Sequence, residues 1–344
     1  MKQIIIGDHV MEHIESLFNL TVYSKVFIVT DKTVKSLFIR TLLSGLTGNP
    51  TVFAIPTGEK EKNLVSVQKI LSAMHEARCD RDSLVINLGG GVISDLGGFA
   101  ASIFMRGVDV INIPTTLLAQ ADAGVGGKTG VNFMGVKNLI GTFNQPIGVV
   151  IDVATLNTLP DREFISGFAE IIKHGLIADP ILFRLAISKK PREFTHRELA
   201  DIITRSCKIK IDIVRKDTKE KGNRKLLNFG HTVGHAIEAL SQTTKLPLLH
   251  GEAVVLGMIV ETKLSQLTGL LSQGQCNVIT QCLQSFSLTK NPCSIPSILT
   301  LIQSDKKSAN GIIQWTLLKK IGEGVVNQTV NTDVVIQALK GTIV

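Results

Sequence analysis

Residues 222–252 carry the densest set of reactive side chains in this sequence. His231 and His235 are four residues apart, a spacing that puts both on one face of a helix, one turn apart. Arg224 and Asn228 precede them, and His250-Gly251-Glu252 brings a third imidazole ahead of the next apolar stretch. Polar groups that converge in this way serve a metal or an anionic ligand. The plainer reading, that His231 and His235 only cap and line a helix, is enough for one pair taken alone. Upstream, Ala169-Glu170-Ile171-Ile172-Lys173-His174-Gly175 places Glu170 and Lys173 on adjacent turns of one face, with Ile171, Ile172 and Leu176 on the apolar side. One carboxylate with two imidazoles suits Zn²⁺ with positions left open for substrate oxygens. By spacing alone, His231 and His235 are the natural ligand pair.

A second group of motifs points to phosphate. Ile86-Asn87-Leu88-Gly89-Gly90-Gly91-Val92-Ile93-Ser94-Asp95 reads as a strand, a glycine turn and a helix start. Glycines let backbone approach a phosphate, and the helix start offers free N–H donors. The run is not the GxGxxG fingerprint, and a tight turn needing positive φ explains it as well. Gly58-Glu59-Lys60-Glu61-Lys62 precedes a helical stretch, where Glu59 can accept from ribose hydroxyls or simply favour a first helical turn. Residues 114–138 hold Thr115, Thr116, Asp122, three glycines before Lys128, then Lys137 and Asn138. Lysines beside flexible glycine backbone suit phosphate oxygens, and Arg106 adds a planar bidentate donor.

The elements that must position these groups change character along the chain. Strand-like runs at 25–31, 51–55, 83–88, 109–113 and 147–151 alternate with helical stretches, including one at 60–77 with Leu64, Val67, Leu71 and Met74 in register. That alternation predicts a mostly parallel sheet covered by helices. After about residue 152 the periodicity is helical, at about 162–177, 196–217, 233–242, 250–268 and 294–304, interrupted by one strand-like stretch, Ile312–Leu318. A domain boundary is expected near 152–160, around Pro160.

Composition narrows the class. The 344 residues are 44% hydrophobic and 19% charged, which fits globular domains with sizeable cores. The net charge of +8 comes without blocks of like charge, and aromatics make up only 5%, so an anionic small molecule accounts for the excess better than a nucleic acid does. Five cysteines without CxxC spacing argue against a disulfide framework or a thiolate zinc site, and suit a reducing compartment. No apolar run approaches the roughly 18–20 residues of a membrane helix, and the first residues show no signal-peptide core. The expectation is a cytoplasmic protein.

Together the motifs resemble the 3-dehydroquinate synthase family. The likeness runs from about Asp31 to Gly322 through GExxK at 58–62, GGGVISDLGGF at 89–99, RGV at 106–108, PTTLLAQADAGVGGKTGVN at 114–132 and KNLIGTFNQP at 137–146. It continues through LPDREFISGFAEIIKHG at 159–175, RKLLNFGHTVGHAIE at 224–238, HGE at 250–252 and DKK at 305–307. The resemblance implies an α/β N-terminal Rossmann-like domain with a parallel sheet that binds NAD (1–152) and a mostly α-helical C-terminal domain that binds metal and substrate (153–344). It implies Glu170, His231 and His250 as ligands of zinc or cobalt, and His235 as an acid–base and hydrogen-bonding residue rather than a ligand. NAD contacts fall on Asp31, Glu59, Lys62, Gly91, Val92, Ile93, Ser94, Asp95, Thr115, Thr116, Lys128, Lys137, Thr155, Leu156, Asn157 and Thr158. Substrate contacts fall on Asp122, Lys128, Asn138, Lys173, Lys210, Arg224, Asn228 and Lys306, and Arg106 reaches the neighbouring site of a homodimer. Three positions depart from the family pattern: Thr33 stands for an asparagine, Phe104 for a tyrosine and Gly124 for a serine.

The implied reaction converts 3-deoxy-D-arabino-heptulosonate 7-phosphate to 3-dehydroquinate and phosphate, a step of aromatic amino acid biosynthesis. It proceeds by transient oxidation with NAD⁺, β-elimination of phosphate, re-reduction and intramolecular aldol closure. Related sugar phosphate cyclases, such as 2-deoxy-scyllo-inosose synthase, would share fold, NAD and metal but have no substrate carboxylate for Lys210 and Arg224. A metal-dependent polyol dehydrogenase would instead release NADH. No nucleic-acid or membrane partner is expected.

Overall fold

The computed structural model describes residues 3–217, 222–286, 293–304 and 313–343, with no account of the side chains at 304, 342 and 343. The chain divides into two compact units, Met1–Pro160 with Thr195–Cys207, and Asp161–Phe194 with Lys208–Val344.

The first unit is built on strands β1 (Gln3–Gly7), β2 (Val26–Asp31), β3 (Thr51–Ile55), β4 (Leu84–Gly89), β5 (Asp109–Pro114) and β8 (Gly148–Asp152). They form one sheet in the order β1-β8-β5-β4-β2-β3, and every pairing is parallel. Successive residues of a strand face opposite ways, and both faces here are apolar. Phe27, Val29 and Val85 pack with Val67, Ile70 and Met74 of helix α3 (Leu64–Glu76) and with Ile93 and Leu96 of α4 (Gly91–Ile103). Their neighbours Ile28, Leu84, Ile86 and Ile111 face the other way, onto Met11, Ile14 of α1 (Ile14–Leu17) and Leu42 of α2 (Lys32–Ser44). Covering both faces is what parallel sheets require.

Between β5 and β8 lies an antiparallel hairpin, β6 (Lys128–Phe133) and β7 (Val136–Phe143), which turns at Met134 and Gly135, both at positive φ. It was not foreseen: Gly130, Asn132 and Asn138 break the period-two pattern that would have marked it. The expected helix start at residue 60 is also corrected. Residues 59–61 form a 3₁₀ turn, and Asn63 caps α3 by accepting from Ser66 N at 3.0 Å.

The second unit contains α5 (Asp161–Ala178), α6 (Pro180–Ala186), α8 (His231–Ser241), α9 (His250–Leu267), α10 (Gln273–Phe286), α11 (Ile295–Ser304) and α12 (Thr332–Ile343), while α7 (His196–Lys216) is divided between the units at Cys207 and Lys208. Its core gathers Val233, Ile237, Val260, Leu264, Ile298, Trp315 and Leu339. The strand-like stretch read at 312–318 is β9 (Trp315–Lys320), paired antiparallel with β10 (Glu323–Gln328), and Ile312 lies outside the described residues. Helix α9 approaches α5 closely at Gly251, whose N donates to Ser166 Oγ at 3.0 Å. A Cβ there would stand 1.9 Å from the Ser166 carbonyl oxygen.

Candidate active site

In the helical unit, three histidines and one carboxylate converge. The rings of His231 and His250 lie 5.3 Å apart, His231 and His235 5.1 Å, and His235 and His250 5.8 Å. Glu170 comes from the middle of α5 and is fully buried, as is the neighbouring Lys173. Lys173 Nζ pairs with Glu170 Oε2. The other oxygen, Oε1, has no hydrogen-bond partner among the described residues. Instead it stands 3.6 Å from His231 Nε2 and 3.7 Å from His250 Nε2. Two ligand atoms on one tetrahedral ion, each at roughly 2.1 Å, are about 3.4 Å apart. The carboxylate oxygen is therefore spaced from each imidazole nitrogen as two ligands of one ion are, and His231, His235 and His250 offer a second grouping of ring nitrogens within 4.8 Å of one another. A buried carboxylate oxygen without a donor is what a cation would satisfy.

The outer contacts of both rings prepare them for this. His231 Nδ1 lies 3.1 Å from the Phe229 carbonyl oxygen, and His250 Nδ1 lies 3.1 Å from Glu238 Oε2. Both partners only accept, so each Nδ1 carries the hydrogen and each Nε2 is the nitrogen turned toward Glu170. Charge follows the same logic. Burial opposes the charge on Glu170, but the Lys173 ammonium and the imidazoles hold its carboxyl well below the usual range. Burial and then Lys173 push His231 well below the ordinary histidine value. Burial also opposes charge on His250, but Glu170 and Glu238 raise it to about 9.

Two further carboxylates fix the backbone beneath these side chains. Gly230, at φ 80°, opens α8 and donates from N to Glu261 Oε2 at 2.5 Å, while Thr232 N and Val233 N reach Glu261 Oε1 at 3.2 and 3.4 Å. A buried carboxylate on α9 thus takes up the free N–H groups of the helix that starts with His231. At the start of α9, Glu252 receives Arg162 Nε and a terminal guanidinium nitrogen, each at 2.7 Å, and also accepts from Leu249 N at 2.7 Å. That fork ties α5, which bears Glu170, to the turn that bears His250.

Of the other residues singled out in this unit, Arg224 and Lys210 are buried, so neither is a solvated surface charge. Asn228 ends a 3₁₀ segment, Asn223–Asn228, directly before α8, and His235 is exposed. Lys306 lies outside the described residues.

In the sheet unit most of the candidate cofactor residues sit where β2, β3, β4, β5 and β8 leave the sheet at its carboxyl edge, the edge where open α/β sheets bind ligands, and Lys128 and Lys137 lie on the β6–β7 hairpin. Gly89, Gly90 and Gly91 are not at positive φ, which rules out the tight-turn explanation. Their smallness serves close approach instead: a Cβ on Gly90 would lie 3.1 Å from Thr116 Cγ2, and one on Gly91 3.2 Å from Ala123 Cβ. Helix α4 begins there with no side-chain cap, and its backbone bonding starts at Ile93 N, which donates to Gly90 O at 3.1 Å, so the glycine turn at Gly91 and Val92 is where a phosphate could meet N–H groups. Ser94 is buried in the same first turn.

Lys62 and Asp95 pair with each other, both largely buried. Glu59 accepts from Asn132 Nδ2 at 2.9 Å, and Asn132 Oδ1 accepts from Asn138 N at 2.9 Å. Asp31 Oδ1 caps α2 through Thr33 N and Val34 N at 2.9 and 3.0 Å, and takes the Thr57 hydroxyl at 2.8 Å. Thr33, one of the departures from the family pattern, meets Thr57 hydroxyl to hydroxyl at 2.9 Å.

Asp122 lies in a π-helical turn, Ala119–Ala123, of the kind often found at functional sites. Buried Gln120 anchors that turn, donating to Asp152 O and to Thr155 Oγ1 at 3.0 Å each. Thr155, Leu156, Asn157 and Thr158 form a 3₁₀ segment in which Asn157 Oδ1 meets His196 Nε2 at 2.9 Å. Gly126 and Gly127 take positive φ just before Lys128. Lys128, Lys137 and Asn138 are exposed on the hairpin, Asn138 at φ 53°. Arg106 is exposed at φ 72°, between Met105 at φ 49° and Gly107 at φ 122°, a strained turn that carries it. The contacts of Asn132, Gln120, Glu238, Glu252 and Glu261 were not read from the sequence. Only Glu238 left a trace there, three and seven residues beyond the histidines on the same helical face.

A parallel α/β unit with an open glycine edge, joined in one chain to a helical unit with a buried carboxylate and imidazole cluster, defines a cofactor-using, metal-dependent class of enzyme fold. The chain matches the family model for the 3-dehydroquinate synthase N-terminal region over residues 52–166 and that for the C-terminal region over 167–308. It belongs to the 3-dehydroquinate synthase family. It is 43% identical to the 3-dehydroquinate synthase of Thermodesulfovibrio yellowstonii over 325 residues, 91% of this chain and 89% of the relative. Among solved structures it is similar to ValA, a 2-epi-5-epi-valiolone synthase from Streptomyces hygroscopicus with NAD⁺ and Zn²⁺ bound (TM-score 0.86, 27% identity, 99% of this chain and 96% of that one). A 2-deoxy-scyllo-inosose synthase complexed with carbaglucose-6-phosphate, NAD⁺ and Co²⁺ shares the fold (TM-score 0.88, 23% identity, 98% and 96%).

Proposed function

We propose that this chain is a lyase that converts 3-deoxy-D-arabino-heptulosonate 7-phosphate to 3-dehydroquinate and phosphate, with NAD and zinc or cobalt as cofactors. The observation that carries the metal assignment is the buried Glu170 Oε1, without a hydrogen bond and facing the Nε2 atoms of His231 and His250. Glu170, His231 and His250 are the ligands in this reading, and His235 stays an acid–base group. It is supported by Glu170 Oε1 lying close to both of those Nε2 atoms. For NAD, support comes from the uncapped α4 terminus and the glycine cradle that a Cβ would fill. When bound, the metal supplies Lewis acidity toward vicinal hydroxyls, and NAD⁺ accepts and returns a hydride.

The chain's own residues then hold and orient. Asp122 and Lys173 hydrogen-bond the substrate hydroxyls. Lys128, Asn138, Asn228 and His235 hold the phosphate, joined by Arg106 of a second copy in a homodimer. Buried Lys210 and Arg224 hold the carboxylate; the planar fork of Arg224 matches that group. Lys306 completes the set. Most NAD contacts fall within residues 1–152, with Thr155 to Thr158 just beyond, and the metal and most substrate contacts fall within 153–344. Five free cysteines suit a cytoplasmic setting, and among the described residues no helix is long and apolar enough to cross a membrane.

The test is phosphate release from 3-deoxy-D-arabino-heptulosonate 7-phosphate with NAD⁺, with and without chelator, while following NADH absorbance. Metal-dependent phosphate release without NADH accumulation supports the reading. NADH accumulation without phosphate would make the chain a dehydrogenase. Phosphate release only from a substrate that lacks the carboxylate would make it a different sugar phosphate cyclase.

A further inference from the structure

The two imidazoles facing Glu170 Oε1 are held by unlike partners. His231 leans on a neutral backbone carbonyl, Phe229 O, two residues before it. His250 leans on an ionisable side chain, Glu238 Oε2, carried on the other helix. Glu238 is itself buried, on the same face of α8 as His231, so α8 supplies one ligand directly and grips the second through its next turns. His250 is partly exposed and sits at the first position of α9, where Glu252 fixes the backbone through Leu249 N but does not touch the ring. A ring at a helix start needs a second anchor to hold its Nε2 on one point, and the bond to Glu238 is that anchor.

We propose that Glu238 is a positioning residue that aims His250 at the metal and makes the two imidazoles unequal ligands. A carboxylate acceptor strengthens the donor power of the imidazole it holds, whereas a neutral carbonyl does so less. His250 is then the ligand whose hold on the ion responds to substitution, and Glu238 sets how long the metal is kept. This rests on the metal reading above.

The test uses the full chain stripped with chelator. Zn²⁺ is titrated back against a competing chelator, and Co²⁺ absorption is recorded in parallel, for the unaltered protein, Glu238→Ala and Glu238→Gln. Outer-shell carboxylates of this kind are typically worth roughly 10–100-fold in metal affinity. Glu238→Ala is expected to lose that much, with an altered Co²⁺ band. Glu238→Gln keeps a neutral acceptor and is expected to lose less. A purely structural role would lower the melting temperature of the stripped protein and leave the affinity of the folded chain alone. Glu238→Ala or, where Ala does not fold, Glu238→Gln binding Zn²⁺ within twofold of the unaltered chain overturns the proposal. An unaltered chain that binds neither ion overturns both the metal reading and this one, which keeps the two failures distinguishable.

Discussion

The two units prepare for ligands by opposite means. In the sheet unit the candidate binding edge is mostly backbone: glycines at 89–91, the uncapped start of α4 and the left-handed Gly126 and Gly127. Its charged residues largely pair among themselves, Lys62 with Asp95, or serve local structure, as Asp31 does in capping α2. In the helical unit the site is made of buried charge. Glu170, Lys173, Glu252 and Glu261 are all buried, and each has a defined partner or a place in the cluster. Backbone donors suit a large polyanionic cofactor that covers many N–H groups. Buried side-chain charge suits a small cation, which needs a few ligands at fixed separation.

The sharpest way to break this contrast is Glu170→Ala. It removes the one carboxylate facing both Nε2 atoms, and the loss of several kcal/mol of Lewis-acid help predicts a fall in phosphate release of roughly 10³-fold. Metal content should fall with it while NAD binding persists, and retained metal in the folded variant would remove Glu170 from the ligand set. The converse change, Gly91→Val, fills the cradle against Ala123 and is expected to weaken NAD binding about tenfold or more, with metal retention intact. Equal NAD affinity by calorimetry would show that the glycine edge does not touch the cofactor.

Arg162→Ala leaves Glu252 buried with Leu249 N still donating to it, and is expected to cost about 2–3 kcal/mol, less than a fully buried pair because Arg162 is one-third exposed. Urea unfolding measures it, and a loss under about 0.5 kcal/mol would mean the fork is ornamental. The smallest effect concerns a thiol. Burial pushes Cys282 up to about 12, so it is expected to resist alkylation at pH 8, where the unfolded chain reacts freely. Mass spectrometry after brief labelling decides this, and rapid modification of Cys282 in the native protein would contradict it.

Much of the frame was legible. Strand β3 at Thr51–Ile55 and helix α9 at His250–Leu267 follow the residue periodicity almost to the ends, because apolar period is imposed by the layer each element covers. Legibility failed where local pattern and fold disagree. The β6–β7 hairpin carries glycines and polar side chains and takes its order from cross-strand pairing. Strand β1 reads as a short apolar run until β8 pairs with it. The glycine run at 89–91 was visible as a loop, but the reason for it was not, since φ is a property of the folded backbone.

The sequence by itself determined the residue types, the helical face shared by His231, His235 and Glu238, the adjacency of Glu170 and Lys173, and the alternation that makes a parallel sheet. All of these depend on separations of a few residues, where one period fixes position. Only the tertiary structure decided that the Glu170 oxygen meets the Nε2 atoms of His231 and His250, that Glu238 holds His250, and that Glu261 caps the helix beneath His231. Those groups lie up to 80 residues apart in the chain. No local period reaches that far, and their meeting is set by how α5, α8 and α9 pack, with Gly251 giving α9 the room to close on α5.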